Sequence, residues 1–146
     1  MIRGLYSSRH AGWRGGCPGA HLEWRLWHET VKCGQYASHT GVWGRRYRNG
    51  EWHFVKPNIK VCPAMGRRTA YMRIADHYPV KGHMVYLHRV VAALFCPRAD
   101  LFATEVDHVN GNKYDNRACN LEWVTPEENR RRYEKNKFKI VQNSLK

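Results

Sequence analysis

Acidic side chains are scarce in this chain: 12 Asp and Glu stand against 25 Lys and Arg in 146 residues, leaving a net charge of +13. So large an excess in so small a chain makes a polyanion, nucleic acid above all, the expected partner, in preference to a solvated basic surface kept for solubility. Long apolar runs are missing as well. No stretch is long enough to span a bilayer, and Met1-Ile2-Arg3-Gly4-Leu5 lacks the apolar core of a signal peptide, so a cytoplasmic protein without a membrane partner is expected. Cysteines number five, an odd count with no CxxC pair, which argues against a disulfide framework and fits a reducing compartment. Cys17, His21, His28 and Cys33 are too irregularly spaced for a zinc site, and scattered, unliganded side chains are the favoured reading. No internal repeat is present.

The positive charge is unevenly spread. Residues 1–48 carry eight basic and two acidic side chains, and residues 49–85 carry six and two. Residues 86–112 hold two and three, and residues 113–146 hold nine and five. A near-neutral middle between basic flanks predicts a polyanion bound across the molecule with a locally acidic spot inside its footprint. The length suffices for one compact domain, or for a small domain plus tails.

Residues 1–21, rich in Gly, Arg and Ser and without periodicity, read as a flexible basic arm. From Glu23 the composition changes, with Trp24, Trp27, Tyr36, Trp43, Tyr47, Trp52 and Phe54 arriving in close succession. Asn49-Gly50 is a hairpin-turn signal between Val42–Arg48 and Glu51–Lys56. Thr69–Ile74 and Gly82–Tyr86 add extended runs, so residues 22–85 are expected to form a small, twisted antiparallel β module. Most of the aromatics are assigned to its core. The interleaved basic residues Arg45, Arg46, Arg48, Lys56, Arg67 and Arg68 are the candidate nucleic-acid contacts.

At Tyr86 the period changes. Leu87, Val90, Val91, Leu94 and Phe95 fall at helical spacing, which predicts a helix ended by Pro97, with His88 and Arg89 off its apolar stripe. Thr104–Val109 then reads as a strand, Asn110-Gly111 as a turn and Leu121–Val124 as a return strand. Thr125 suits an N-cap, Pro126 the first helical position and Glu128 a capping box, so a helix is expected from Pro126 to about Lys137. Singly, Asp107 could cap a turn, His108 could sit satisfied in a core, and Asn120 or Asn129 could bond backbone. Asp-His before a turn, then Asn, then a second Asn on a capped helix is a more specific set than any of these alone.

The ordered residues Leu87-His88-Arg89-Val90-Val91-Ala92-Ala93-Leu94-Phe95, Val106-Asp107-His108-Val109-Asn110-Gly111-Asn112-Lys113, Asp115-Asn116-Arg117 and Asn120-Leu121-Glu122-Trp123-Val124-Thr125-Pro126-Glu127-Glu128-Asn129 resemble the HNH endonucleases, the ββα-metal nucleases, in their phage homing type. Gly34–Trp43 is similar to the β module that often precedes the motif. The resemblance implies an α+β fold: the β module at 22–85, a nuclease domain at 86–138 opening with a helix and carrying the ββα-metal motif, and a tail at 139–146. It implies a metal-dependent DNA endonuclease that nicks as a monomer or cuts both strands as a homodimer on double-stranded DNA, phage-encoded and at work in the bacterial host's cytoplasm.

His108 would be the general base and Asn120 would tie the loop that aims it. Asp107 and Asn129 would hold one Mg²⁺ or Mn²⁺ through oxygen ligands, and Arg89, Lys113 and Arg117 would join the DNA contacts. Asp107 and His108 are neighbours on a strand and so point to opposite faces. The resemblance therefore needs the chain to end or bend there for both to serve one phosphate. The CxxC pairs of zinc-stabilised relatives are absent, so no structural zinc is expected. No helix-turn-helix follows the last helix, which assigns DNA recognition to the N-terminal half. The alternative is a catalytically inactive nucleic-acid-binding protein on the same fold; a basic RNA-binding protein is a third possibility.

Overall fold

In the computed structural model of the chain, residues 23–64, 67–75 and 83–144 are described. The basic arm expected at residues 1–21 lies outside them. The fold is mixed α+β with antiparallel sheets. β1 (Trp24–Glu29), β2 (Cys33–Ser38), β3 (Trp43–Tyr47) and β4 (Trp52–Phe54) form a sheet in chain order. β5 (Asn58–Ala64), β6 (Arg67–Ala75) and β7 (Met84–Tyr86) form a second. Helix α1 (Leu87–Phe95) follows, then the hairpin of β8 (Glu105–His108) and β9 (Leu121–Val124), and finally α2 (Pro126–Ser144).

The expected β module is thus built as two sheets, and β1, β2 and β5 carry little local signal. β1 shifts register between Leu26 and His28. β2 reads Cys-Gly-Gln-Tyr-Ala-Ser, with no β-branched residue. β5 contains Pro63, which is tolerated because β5 pairs only with β6 and so lies at a sheet edge. The Asn49-Gly50 turn forms as its sequence dictates, with Gly50 at φ 88°. Helix α2 continues to Ser144 rather than stopping near Lys137, since neither Gly nor Pro interrupts residues 127–144.

α1 is the centre of the core. Its Leu87, Val90, Val91 and Ala92 pack with Ala37 and Trp43 of the first sheet, Ile74 of the second, and Val106 and Leu121 of the hairpin. Each Leu, Ile or Val among these contributes roughly 1.5–3 kcal/mol when fully buried. Trp43 is in this core, but Trp24, Tyr36, Trp52 and Phe54 are not. By strand alternation they occupy the opposite face of the first sheet, as a half-buried ring cluster with Trp24–Trp52 centroids 5.1 Å apart and Tyr36–Trp52 centroids 5.0 Å apart.

The turn between β2 and β3 abuts the loop between β8 and β9. Ala118 N donates to His39 O at 2.7 Å. Gly41, at φ 79°, lies so close that a Cβ would stand 2.7 Å from the backbone oxygen of Asn116. Gly50 has a similar φ but open space around it. Both Gly→Ala changes should lose about 1–2 kcal/mol to left-handed backbone strain. Gly41→Ala should lose distinctly more, because rigid backbone cannot yield to its methyl group. Urea unfolding of the two variants tests this, and equal losses would contradict the close packing.

Candidate active site

β8 and β9 pair in the register Glu105↔Val124, Val106↔Trp123, Asp107↔Glu122 and His108↔Leu121. The loop joining them is held by its own side chains. Asn120 Oδ1 accepts from Asn110 N at 3.0 Å, and its Nδ2 donates to Asn110 Oδ1 at 3.0 Å and to Asp115 O at 2.8 Å. Gly111, at φ 74°, donates its N–H to His108 O at 2.7 Å, closing the turn. Asp115 accepts from Asn110 Nδ2 and Arg117 Nε, and the Arg117 guanidinium foremost holds its carboxyl below the usual range. Asn120 therefore sits where a loop-tying residue is needed.

His108 ends β8 facing the core and is 1% exposed. Its Nε2 lies 3.0 Å from Oδ1 of Asn116, itself 0% exposed, and its Nδ1 has no hydrogen-bond partner among the described residues. The His88 ring lies tilted against it, centroids 5.1 Å apart and planes at 53°, with the Tyr71 ring 5.2 Å from His88. Burial pushes the pKa of His108 down, only partly offset by its bond to Asn116 and by Asp107 and Asp115. Burial, with His108 next, takes His88 down to about 3. Both imidazoles are thus neutral at neutral pH.

Folded His88 resists protonation while the unfolded chain takes a proton near pH 6.5, so its stabilising effect is complete above that pH. It is lost progressively as pH falls toward about 3. Thermal melts should show this acid sensitivity, and His88→Phe should flatten it. A variant as acid-sensitive as the wild type would assign the loss to other groups.

On the opposite face of β8, Asp107 and Glu105 point toward α2. The strand alternates regularly, so no bend brings Asp107 and His108 to one side. The Asp107 carboxylate lies 3.5 Å from Arg132 NH1 and 4.0 Å from Lys113 Nζ. Arg132 also bonds Glu122 at 2.7 Å and Glu128 at 2.8 Å. Glu128 N donates to the Thr125 cap at 3.2 Å, while its carboxylate turns to Arg132 and Arg131 rather than completing a capping box. This placement sets Asn129 in the first turns of α2, where its Nδ2 donates to Glu105. With the nitrogen so committed, the carboxamide oxygen is the end a cation would take. Asp107 and Asn129 thus offer hard oxygen donors at the hairpin–helix junction, a chemistry that fits Mg²⁺ or Mn²⁺. Among the described residues no group of three or more His, Cys, Asp and Glu is placed to hold a metal.

Residues 85–131 match the family model of the HNH endonucleases. This segment belongs to the HNH endonuclease family. An uncharacterized HNH endonuclease of Acanthamoeba polyphaga mimivirus is 52% identical over 44 residues, covering 30% of this chain and 11% of the viral protein. The HNH homing endonuclease I-HmuI, in a structure describing its DNA binding and cleavage, matches with a TM-score of 0.58 at 25% identity, covering 84% of this chain and 66% of that one. The chain therefore spans a small part of the viral relative and just under two thirds of I-HmuI.

Around the HNH segment, the expected DNA contacts fall into three groups. Arg46, Arg48 and Lys56 are exposed on or beside the β3–β4 hairpin. Arg45 instead faces inward, its NH2 donating to Ala75 O at 3.2 Å across the two sheets. Arg89 donates to Thr104 O at 3.0 Å, Lys113 faces Asp107, and Arg117 pairs with Asp115 at 2.5 Å. The side chains of Arg67 and Arg68 lie outside the described residues, as do Cys17 and His21. Of the other residues weighed for zinc, His28 bonds Gln35 at 3.1 Å and Cys33 lies 3.7 Å from Thr30 Oγ1. No helix among the described residues is long and apolar enough to cross a membrane.

Sequence reasoning assigned no role to Asn116, Gly41, Glu105 or Arg132. Asn116 and Gly41 lay inside the stretches that carried the resemblance, but nothing local in the sequence says that they meet.

Proposed function

We propose that the chain is a DNA endonuclease that hydrolyses a phosphodiester with His108 as general base and one divalent cation on Asp107 and Asn129. The observation that carries this reading is the match of residues 85–131 to the HNH endonucleases, a segment in which a neutral imidazole ends β8 and oxygen donors lie at the hairpin–helix junction. His108 Nδ1 takes the proton of the water as its oxygen bonds phosphorus and the P–O3′ bond breaks. Asp107 and Asn129 would hold the cation, which when bound would supply charge neutralisation at the phosphate and the departing oxygen. Asn120 keeps the loop closed, so that His108 meets the phosphate at a fixed angle. Arg46, Arg48 and Lys56 hold the duplex backbone, and Arg89, Lys113 and Arg117 lie nearer the hairpin. One such site per chain nicks one strand, and a pair of chains cuts both. A phage gene acting in the bacterial cytoplasm fits the homing type of the family.

A second reading, a DNA-binding protein that keeps the fold without cleaving, draws support from the 1% exposure of His108. Supercoiled plasmid incubated with Mg²⁺ or with EDTA separates the two. The nuclease reading expects relaxed circles only with the metal, and binding without relaxation in either condition refutes it.

A further inference from the structure

A nuclease base must present one particular ring nitrogen to its substrate, and in a neutral imidazole only one nitrogen has an in-plane lone pair free to accept a proton. On His108 the choice is made by a residue outside the Asp-His-Asn-Asn set. Asn116 Nδ2 faces Tyr114 O at 3.4 Å and Met72 Sδ at 3.2 Å, and the Tyr114 carbonyl can only accept. That fixes the amide orientation and turns Oδ1, also an acceptor only, toward His108 Nε2 at 3.0 Å. The proton must then sit on Nε2, and the lone pair on Nδ1, the nitrogen with no partner among the described residues.

Three elements hold Asn116 in place. Met72 belongs to β6, Gly41 approaches its backbone from the β2–β3 turn, and His39 O binds Ala118 N two residues on. We propose that Asn116 is a positioning residue that holds the His108 base as its Nε2–H tautomer, with the N-terminal sheets supporting it. This deepens the nuclease reading and rests on it, but its first test does not require cleavage.

Imidazole ¹⁵N spectra of the labelled full chain, in mildly alkaline buffer and with His108 assigned by its loss in His108→Ala, should show a pyrrole-like Nε2 and a pyridine-like Nδ1. The reverse pattern in the wild type overturns the proposal. Asn116→Asp is isosteric and keeps an acceptor, so it should retain the wild-type tautomer; an Nδ1–H ring there also overturns it. Asn116→Ala should give mixed tautomers and about tenfold or more slower plasmid turnover at unchanged DNA affinity. Wild-type spectrum and turnover in that variant would remove Asn116 from the role. If the wild type fails to cleave at all, the nuclease reading falls, while the tautomer result still decides what Asn116 does.

Discussion

His108→Ala is expected to nick plasmid about 100-fold or more slowly than the wild type, roughly what the loss of a general base costs, with DNA affinity retained. Retained affinity follows from placement, since a 1% exposed ring contributes almost no surface to a duplex. The same burial sets the pH profile. Because it lowers the His108 pKa, the ring stays neutral below the ordinary 6.5, so the acid-side fall in cleavage should lie at lower pH than a solvent-exposed histidine would give. Cleavage by His108→Ala within a few-fold of wild type would move the base elsewhere, and His88, its ring centroid 5.1 Å away, is an adjacent imidazole.

Asp107→Ala should lose a comparable factor, at least about 100-fold, because several kcal/mol of charge stabilisation at the phosphate depend on the cation it would hold. The carboxylate also balances Lys113 and Arg132 at 4.0 and 3.5 Å. The variant should therefore bind DNA at least as tightly as the wild type while losing its response to Mg²⁺. Titration of Mn²⁺ followed by electron paramagnetic resonance, without DNA, checks the ligand role independently of turnover. An Asp107→Ala protein with wild-type Mn²⁺ affinity would exclude this carboxylate as a ligand.

The parts of the site legible in the sequence are those built from short-range rules. Asn110-Gly111, the Thr125-Pro126 start of α2 and the stripe from Leu87 to Phe95 each declare themselves within a few residues. So does the role of Asn120, whose three bonds all fall inside the loop it closes. What stayed hidden depends on contacts between distant segments. Asn116 meets Met72 across 44 positions, and Arg45 finds Ala75 across 30. His88 lies off the apolar stripe of α1 yet is 6% exposed, because Tyr71, Tyr86 and His108 enclose it from other elements. The aromatic-rich strands misled in the other direction. Their rings suggested one core, whereas strand alternation sends Trp43 inward and Trp24, Tyr36 and Trp52 to the other face.

The central place of α1 also bears on synthesis. Ala37 and Trp43 leave the ribosome some fifty residues before the helix that covers them, and the hairpin residue Leu121 comes later still. Until then the nascent sheets expose an apolar face with nothing of their own to cover it, a condition that invites association between unfinished chains. Yield in a cell is therefore tied to how quickly translation reaches α1 and the β8–β9 hairpin.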